Sequence, residues 1–147
     1  MGLTGRIGGR KAYLDSNIFI YGFEDYPAFS ADCQEIFKAL SSNELQLVTS
    51  ELSLVEILPK PLQNGKPELA AFYIELLTAT PGLELAGVSS EIIMKAVALR
   101  GIARLGTPDA VHVATALARG CAVFVTADQG IPRANGIEMI YLQPRMV

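Results

Sequence analysis

Three observations predict an α/β fold of three layers, with a central parallel sheet of about five strands flanked by helices. Short β-prone apolar runs alternate with longer stretches of helical periodicity. The runs are apolar almost throughout, as strands buried on both faces of a parallel sheet are. Cap and turn residues mark most of the boundaries between them.

Residues 1–10 (MGLTGRIGGR) carry basic residues with no apolar run after them, so no secretory signal is expected in them. They are expected to be a flexible lead-in to a single domain over residues 11–147. Ala12-Tyr13-Leu14 is the first strand, and Asp15-Ser16-Asn17 follows it with good helix-capping chemistry. Phe29, Cys33, Ile36, Phe37 and Leu40 recur roughly every 3.6 residues and predict a helix. Leu45 to Thr49 is the second strand. A helix begins near Ser50 and is interrupted by Pro59-Lys60-Pro61, because proline removes an N–H and restricts its predecessor. Gln63 to Pro67 is a turn, and Leu69, Phe72, Tyr73, Leu76 and Leu77 mark the next helix. Leu83 to Val88 is the third strand, followed by a helix through Ile92, Ile93, Ala96, Val97 and Leu99. Gly106-Thr107-Pro108 supplies a break, an N-cap candidate and a proline for the first turn of the helix through Ala110, Val113, Ala114 and Leu117. Gly120 stands where that helix should be capped at its C-terminus. Ala122 to Thr126 and Glu138 to Leu142 complete the strands.

The 147 residues suit one domain with a real core. Half are apolar, 18% are charged, and no internal repeat is visible, which excludes a disordered chain. The mean hydropathy is +0.33, yet no apolar stretch approaches the ~20 residues of a membrane span. Cys33 and Cys121 make neither a disulfide framework nor a zinc quartet, and they lie in apolar segments. A cytoplasmic protein with buried thiols is expected. The net charge of −3 argues against a passive nucleic-acid binder, but not against an enzyme that meets nucleic acid through a bound cation.

The placement of the carboxylates is the informative feature. Asp15 follows the first strand, Glu56 lies on the helix after the second, and Asp128 lies just after the fourth. In an open parallel sheet the C-terminal strand ends share one edge, and ligands bind there where the strand order reverses. Asp109 opens a helix and joins the others if that helix N-terminus points at the same edge. Two unit charges about 4 Å apart repel by roughly 4 kcal/mol at an effective dielectric of about 20. Such a set persists when its members protonate or a cation neutralises them. Oxygen ligands with no His or Cys nearby suit Mg²⁺ or Mn²⁺, which keep several waters and accept phosphate oxygens. That combination fits metal-assisted phosphodiester hydrolysis.

Each acid also has an ordinary structural use. Asp15 can cap a helix, Glu56 can close a capping box with Ser53, Asp109 can favour a helix dipole, and Asp128 can make a turn. The four together, in order and at element ends, carry the functional reading.

From about Lys11 to Gln143 the chain resembles the PIN-domain family, and within it the small ribonuclease toxins of VapBC toxin–antitoxin pairs. The matching segments are YLDSNIFIY around Asp15, TSELSLVEILPKPL around Glu56, TPDAVHVATA around Asp109, and Thr126-Ala127-Asp128. The resemblance implies a five-stranded PIN-like parallel sheet and Mg²⁺- or Mn²⁺-dependent endonuclease activity on RNA. It implies Asp15, Glu56 and Asp109 as central acids, Asp128 as a more variable fourth, and Asn17 and Thr126 as supporting polar residues. Asp15, Asp109 and Asp128 are the expected metal ligands. Ser16 stands where the family commonly has Thr. A cognate antitoxin, often inserting an Arg among the acids, and a homodimer are the implied partners.

His112, the sole histidine, lies one turn beyond Asp109 and is read first as a packed residue. Lys60, Arg100 and Arg104 are read as solvated charges, and Tyr21, Phe23 and Tyr26 as packing. Gly5, Gly8 and Gly9 precede the first strand, so they make no dinucleotide fingerprint. Two other readings are weaker. A phosphoacceptor receiver lacks its Lys after the fourth strand and has no use for Glu56 and Asp109. A HAD-type phosphatase needs Asp where Asn17 stands. A noncatalytic PIN-like module that binds RNA or a partner is the remaining alternative.

Overall fold

The computed structural model describes residues 2–133 and 136–146. Its sheet has five strands, β1 (Ala12–Leu14), β2 (Leu47–Ser50), β3 (Leu83–Ala86), β4 (Val123–Thr126) and β5 (Glu138–Tyr141). All neighbours pair in parallel, in the spatial order β3-β2-β1-β4-β5. The chain steps outward from β1 through β2 to β3, then returns to the other side of β1 for β4 and β5. The order therefore reverses between β1 and β4, and a crevice opens beyond their C-terminal ends.

Helices make the crossovers. α2 (Ser16–Phe23) and α3 (Pro27–Ser41) join β1 to β2. α4 (Leu52–Ile57), α5 (Pro59–Gln63) and α6 (Pro67–Ala79) join β2 to β3, while α7 (Ser90–Ile102) and α8 (Thr107–Ala118) join β3 to β4. The proline pair acts as expected, since Pro59 opens α5 directly after α4 ends and Leu58 belongs to both caps.

Side-chain alternation along the strands divides the core into two layers. Leu14, Leu47, Val123, Val125 and Ile140 face one way, packed with Ile18, Phe19, Ile36 and Leu77. Tyr13, Val48, Phe124 and Met139 face the other, packed with Ala110, Val113 and Ala114 of α8. These strand centres are closed to water, which is why their sequence reads as continuous apolar runs and not as alternation.

Some expectations need correction. β2 starts at Leu47 and not Leu45, and β3 ends at Ala86 before Val88. Gly106, not Thr107, is the N-cap of α8; the Thr107 hydroxyl instead accepts a hydrogen bond from Arg100. Gly120 does close that helix, at φ 70°, with Cys121 N–H donating back to the Ala116 carbonyl.

The expected flexible lead-in is also corrected. Leu3–Ile7 forms a helix, α1, whose Leu3 and Ile7 are buried in the core beside α3. The Glu35 carboxylate accepts the Thr4 backbone N–H at 2.6 Å. A helix this short has no stability of its own, so packing holds it, and the local sequence offers only two apolar residues four apart as a signal. Replacing Ile7 with Ala should lower unfolding free energy by about 2–4 kcal/mol in denaturant titration. A loss below about 0.5 kcal/mol would restore the reading of an unattached lead-in.

Both cysteines are free and buried. Among the described residues no helix is long and apolar enough to cross a membrane.

Candidate active site

The end of β1 delivers Asp15 to the switch point. Its backbone N–H still pairs with the Val125 carbonyl of β4, while its extended backbone makes it the N-cap of α2. One carboxylate oxygen accepts the Ser16 N–H at 2.8 Å, and the other accepts the Thr126 hydroxyl at 2.7 Å. The residue is 5% exposed. Capping and site placement are thus one arrangement and not competing uses of Asp15.

Thr126 ends β4 and is fully buried. Its hydroxyl donates to Asp15 and accepts the Asp128 backbone N–H at 2.9 Å. Asp128 turns the chain, with its own carboxylate accepting the Gly130 N–H at 2.8 Å, and it is exposed. Thr126→Val keeps the shape and removes this link between the two strand ends. It should destabilise the protein by about 1–3 kcal/mol, since Asp15 loses a donor. A denaturant midpoint equal to wild type would contradict that role.

Glu56 rides on α4, with its side chain 30% exposed. The helix has begun before Ser53, so the capping-box use of Glu56 does not occur. Ser53 is instead buried, with its hydroxyl 2.7 Å from that of Thr49. Asp109 stands in the first turn of α8, after Pro108, and is half-buried. The N-terminus of α8 does face the strand-end edge, because His112 of the same helix reaches both Glu56 and Asp15.

That histidine revises the picture of an edge made of oxygen groups alone. His112 is fully buried, with Nε2 2.5 Å from Glu56 Oε1 and 3.8 Å from Asp15 Oδ1. Its Nδ1 meets the Tyr13 hydroxyl at 2.5 Å. The packed reading of His112 holds, yet its packing partner is one of the acids. Tyr13 was not singled out from the sequence. The signal for it is alternation, since the residue two before Asp15 on β1 shares its side of the sheet and faces the α7–α8 layer.

The charges respond to one another. Burial pushes Asp15 above the usual carboxylate range, against the pull of His112 and the donors Thr126 and Ser16. Asp109 is also raised, by burial and then by the charges of Asp15 and Asp128. Burial would raise Glu56 too, but the hydrogen bond from His112, with help from Ser16, leaves it below its ordinary value. The four acids therefore share one electrostatic neighbourhood.

Among the described residues, no three His, Cys, Asp or Glu side chains stand at the spacing of a closed metal cage. The trio Asp15, Asp109 and Asp128 is not drawn that tightly together. Like charges hold such groups apart, and Mg²⁺ takes only one or two carboxylates directly, with water completing its shell. The residues still fit a hard divalent cation. Both Asp15 and Asp109 are poorly stabilised as anions, and Oδ1 of Asn17, on the first turn of α2, is buried without a hydrogen-bond partner. His112 is no competing ligand, because both ring nitrogens are engaged.

Among the other residues, the Tyr21 phenol is raised by burial, to which the charges of Asp15 and Asp128 add. Arg100 is bound to the Leu105 carbonyl and Thr107. Tyr21 stacks on Phe29 and packs against Tyr26, while Phe23 packs on Phe37 and Phe72.

Comparison with known proteins agrees with this architecture. The family model described as PIN domain matches residues 12–137. No curated protein sequence matches the chain. A toxin–antitoxin complex from Klebsiella pneumoniae is similar at 20% identity and a TM-score of 0.67, over 91% of this chain and 99% of that one. VapBC2 from Rickettsia felis, bound to a promoter DNA fragment, is similar at 18% identity and a TM-score of 0.69, over 89% and 98%. VapC20 from Mycobacterium tuberculosis, a toxin that cleaves the sarcin–ricin loop, is similar at 13% identity and a TM-score of 0.68, over 90% and 99%. At these identities the likeness is one of fold.

Proposed function

The chain belongs to the PIN domain family, and we propose that it is a metal-dependent endoribonuclease that hydrolyses RNA phosphodiester bonds as the toxin of a type II toxin–antitoxin pair. The observation that carries this reading is the gathering of Asp15, Glu56, Asp109 and Asp128 in one electrostatic neighbourhood at the strand-order switch. In it, Asp15, Asp109 and Asp128 would hold Mg²⁺ or Mn²⁺. When bound, the ion supplies charge stabilisation on the scissile phosphate and leaving oxygen, and makes a water easier to deprotonate.

The chain's own residues do the rest. Glu56 stands at the half-open edge with one carboxylate oxygen on His112, so it is the group suited to accept a proton from the attacking water. Thr126 and the Ser16 N–H hold both oxygens of Asp15 and leave its charge aimed at the crevice. Asn17, on the first turn of α2, offers a buried neutral oxygen without a partner of its own.

A cognate antitoxin, a homodimeric partner and a cytoplasmic location belong to the same proposal. The toxin–antitoxin complexes of similar fold support the first. Exposed apolar residues on α7, Met94, Val97 and Ile102, support contact with another protein chain. The two buried free thiols suit a reducing compartment.

The test is incubation of purified protein with single-stranded and structured RNA, with Mg²⁺ or Mn²⁺ and with chelator. Cleavage that requires the cation is expected. RNA or partner binding with no cleavage across these substrates would favour the noncatalytic module.

A further inference from the structure

His112 does more than fill the layer between α8 and the sheet. It is the chain's one histidine and is fully closed to solvent. Tyr13 meets its ring edge-on, with centroids 5.7 Å apart, and Tyr13 is itself stacked on Phe124 at 5.0 Å. The imidazole therefore rests against one aromatic ring of the central strands, Tyr13, which Phe124 backs in turn. Its two nitrogens point in different chemical directions, Nδ1 to the Tyr13 hydroxyl and Nε2 to Glu56 at the half-open edge.

The hydrogen positions follow from the partners. Glu56 is ionised and can only accept, so Nε2 carries the hydrogen and donates it to Oε1. A phenol O–H is a donor, so with Nε2 carrying the ring hydrogen that of Tyr13 donates to Nδ1. The result is one directional chain, Tyr13 to His112 to Glu56, running from the core to the crevice. A carboxylate on a short helix such as α4, with a flexible stem, has several rotamers open to it. The chain selects one, holding Oε1.

We propose that His112, anchored by Tyr13, is a positioning residue that fixes the Glu56 carboxylate toward the acidic edge. The catalytic part of this claim rests on the endoribonuclease reading; the contact itself does not.

A single histidine gives one pair of ring-nitrogen signals in ¹⁵N NMR of the full chain. The expected pattern is a hydrogen on Nε2, with the Nε2 signal moved by Glu56→Ala and the Nδ1 signal moved by Tyr13→Phe. A ring insensitive to Glu56→Ala would overturn the proposal whether or not the protein cleaves RNA. In RNA cleavage, His112→Leu should lower kcat tenfold or more with KM within about twofold. His112→Gln, whose amide N–H can reach Glu56, should recover most of the rate. In a Glu56→Ala background His112→Leu should add nothing, since the two residues act as a unit. A purely structural histidine would show the same loss in both backgrounds and no recovery by Gln. If His112→Leu does not fold, His112→Gln and Tyr13→Phe keep both arms in force. If the wild type cleaves no RNA, the enzymatic reading fails while the NMR result still decides the Glu56 contact.

Discussion

Asp15→Asn should reduce metal-dependent RNA cleavage by at least about a hundredfold, the scale of losing one electrostatic group from a preorganised site. The fold should survive. An asparagine oxygen can still accept the Ser16 N–H that caps α2, and its amide can donate to the Thr126 hydroxyl. The substitution removes a buried charge whose ionisation burial already opposes. The variant should therefore keep its circular dichroism and its denaturant midpoint, or gain slightly in midpoint. Cleavage within a fewfold of wild type would remove Asp15 from the chemistry.

Asp109→Asn carries the second large effect, and its two readouts move in opposite directions. Cleavage should again fall about a hundredfold. Stability of the metal-free protein should rise, because burial and the charges of Asp15 and Asp128 disfavour the Asp109 anion. The folded pKa lies above the unfolded one, so the folded state binds the extra proton. Wild-type stability should then fall as pH rises from the unfolded value of about 3.9 through the raised folded pKa. The variant should show a flatter profile in that window and a gain at neutral pH of at most about 1 kcal/mol, since solvent screens this half-exposed position. Denaturant titrations at a series of pH values give the comparison. A destabilised variant with the wild-type pH slope would mean that Asp109 is structural.

Much of this was legible in the sequence because the relevant signals are local. Continuous apolar runs such as Val123 to Val125 mark buried parallel strands, and alternation with helical periods dictates the crossovers. Asp15 and Asp128 lie where chain tracing from β1 and β4 puts them. What was less legible depends on contacts distant in the chain. Leu3 and Ile7 form a helix only because α3 lies beneath them. Ser53 and Thr49 pair across the β2–α4 junction, a contact that the spacing does not announce. His112 looks like one apolar-face histidine among alanines and valines, and only the packing of α8 against β1 and α4 brings it between Tyr13 and Glu56. Spacing along one helix reports which face a residue occupies, but not which acid from another element waits there.

Calorimetric titration of Mn²⁺ into the wild type and into an Asp15→Asn/Asp109→Asn double variant tests the account most directly. The account predicts saturable binding by the wild type and its loss in a double variant that remains folded. Mn²⁺ binding of equal strength in both proteins would contradict it, because the acidic edge would then not be where the cation sits.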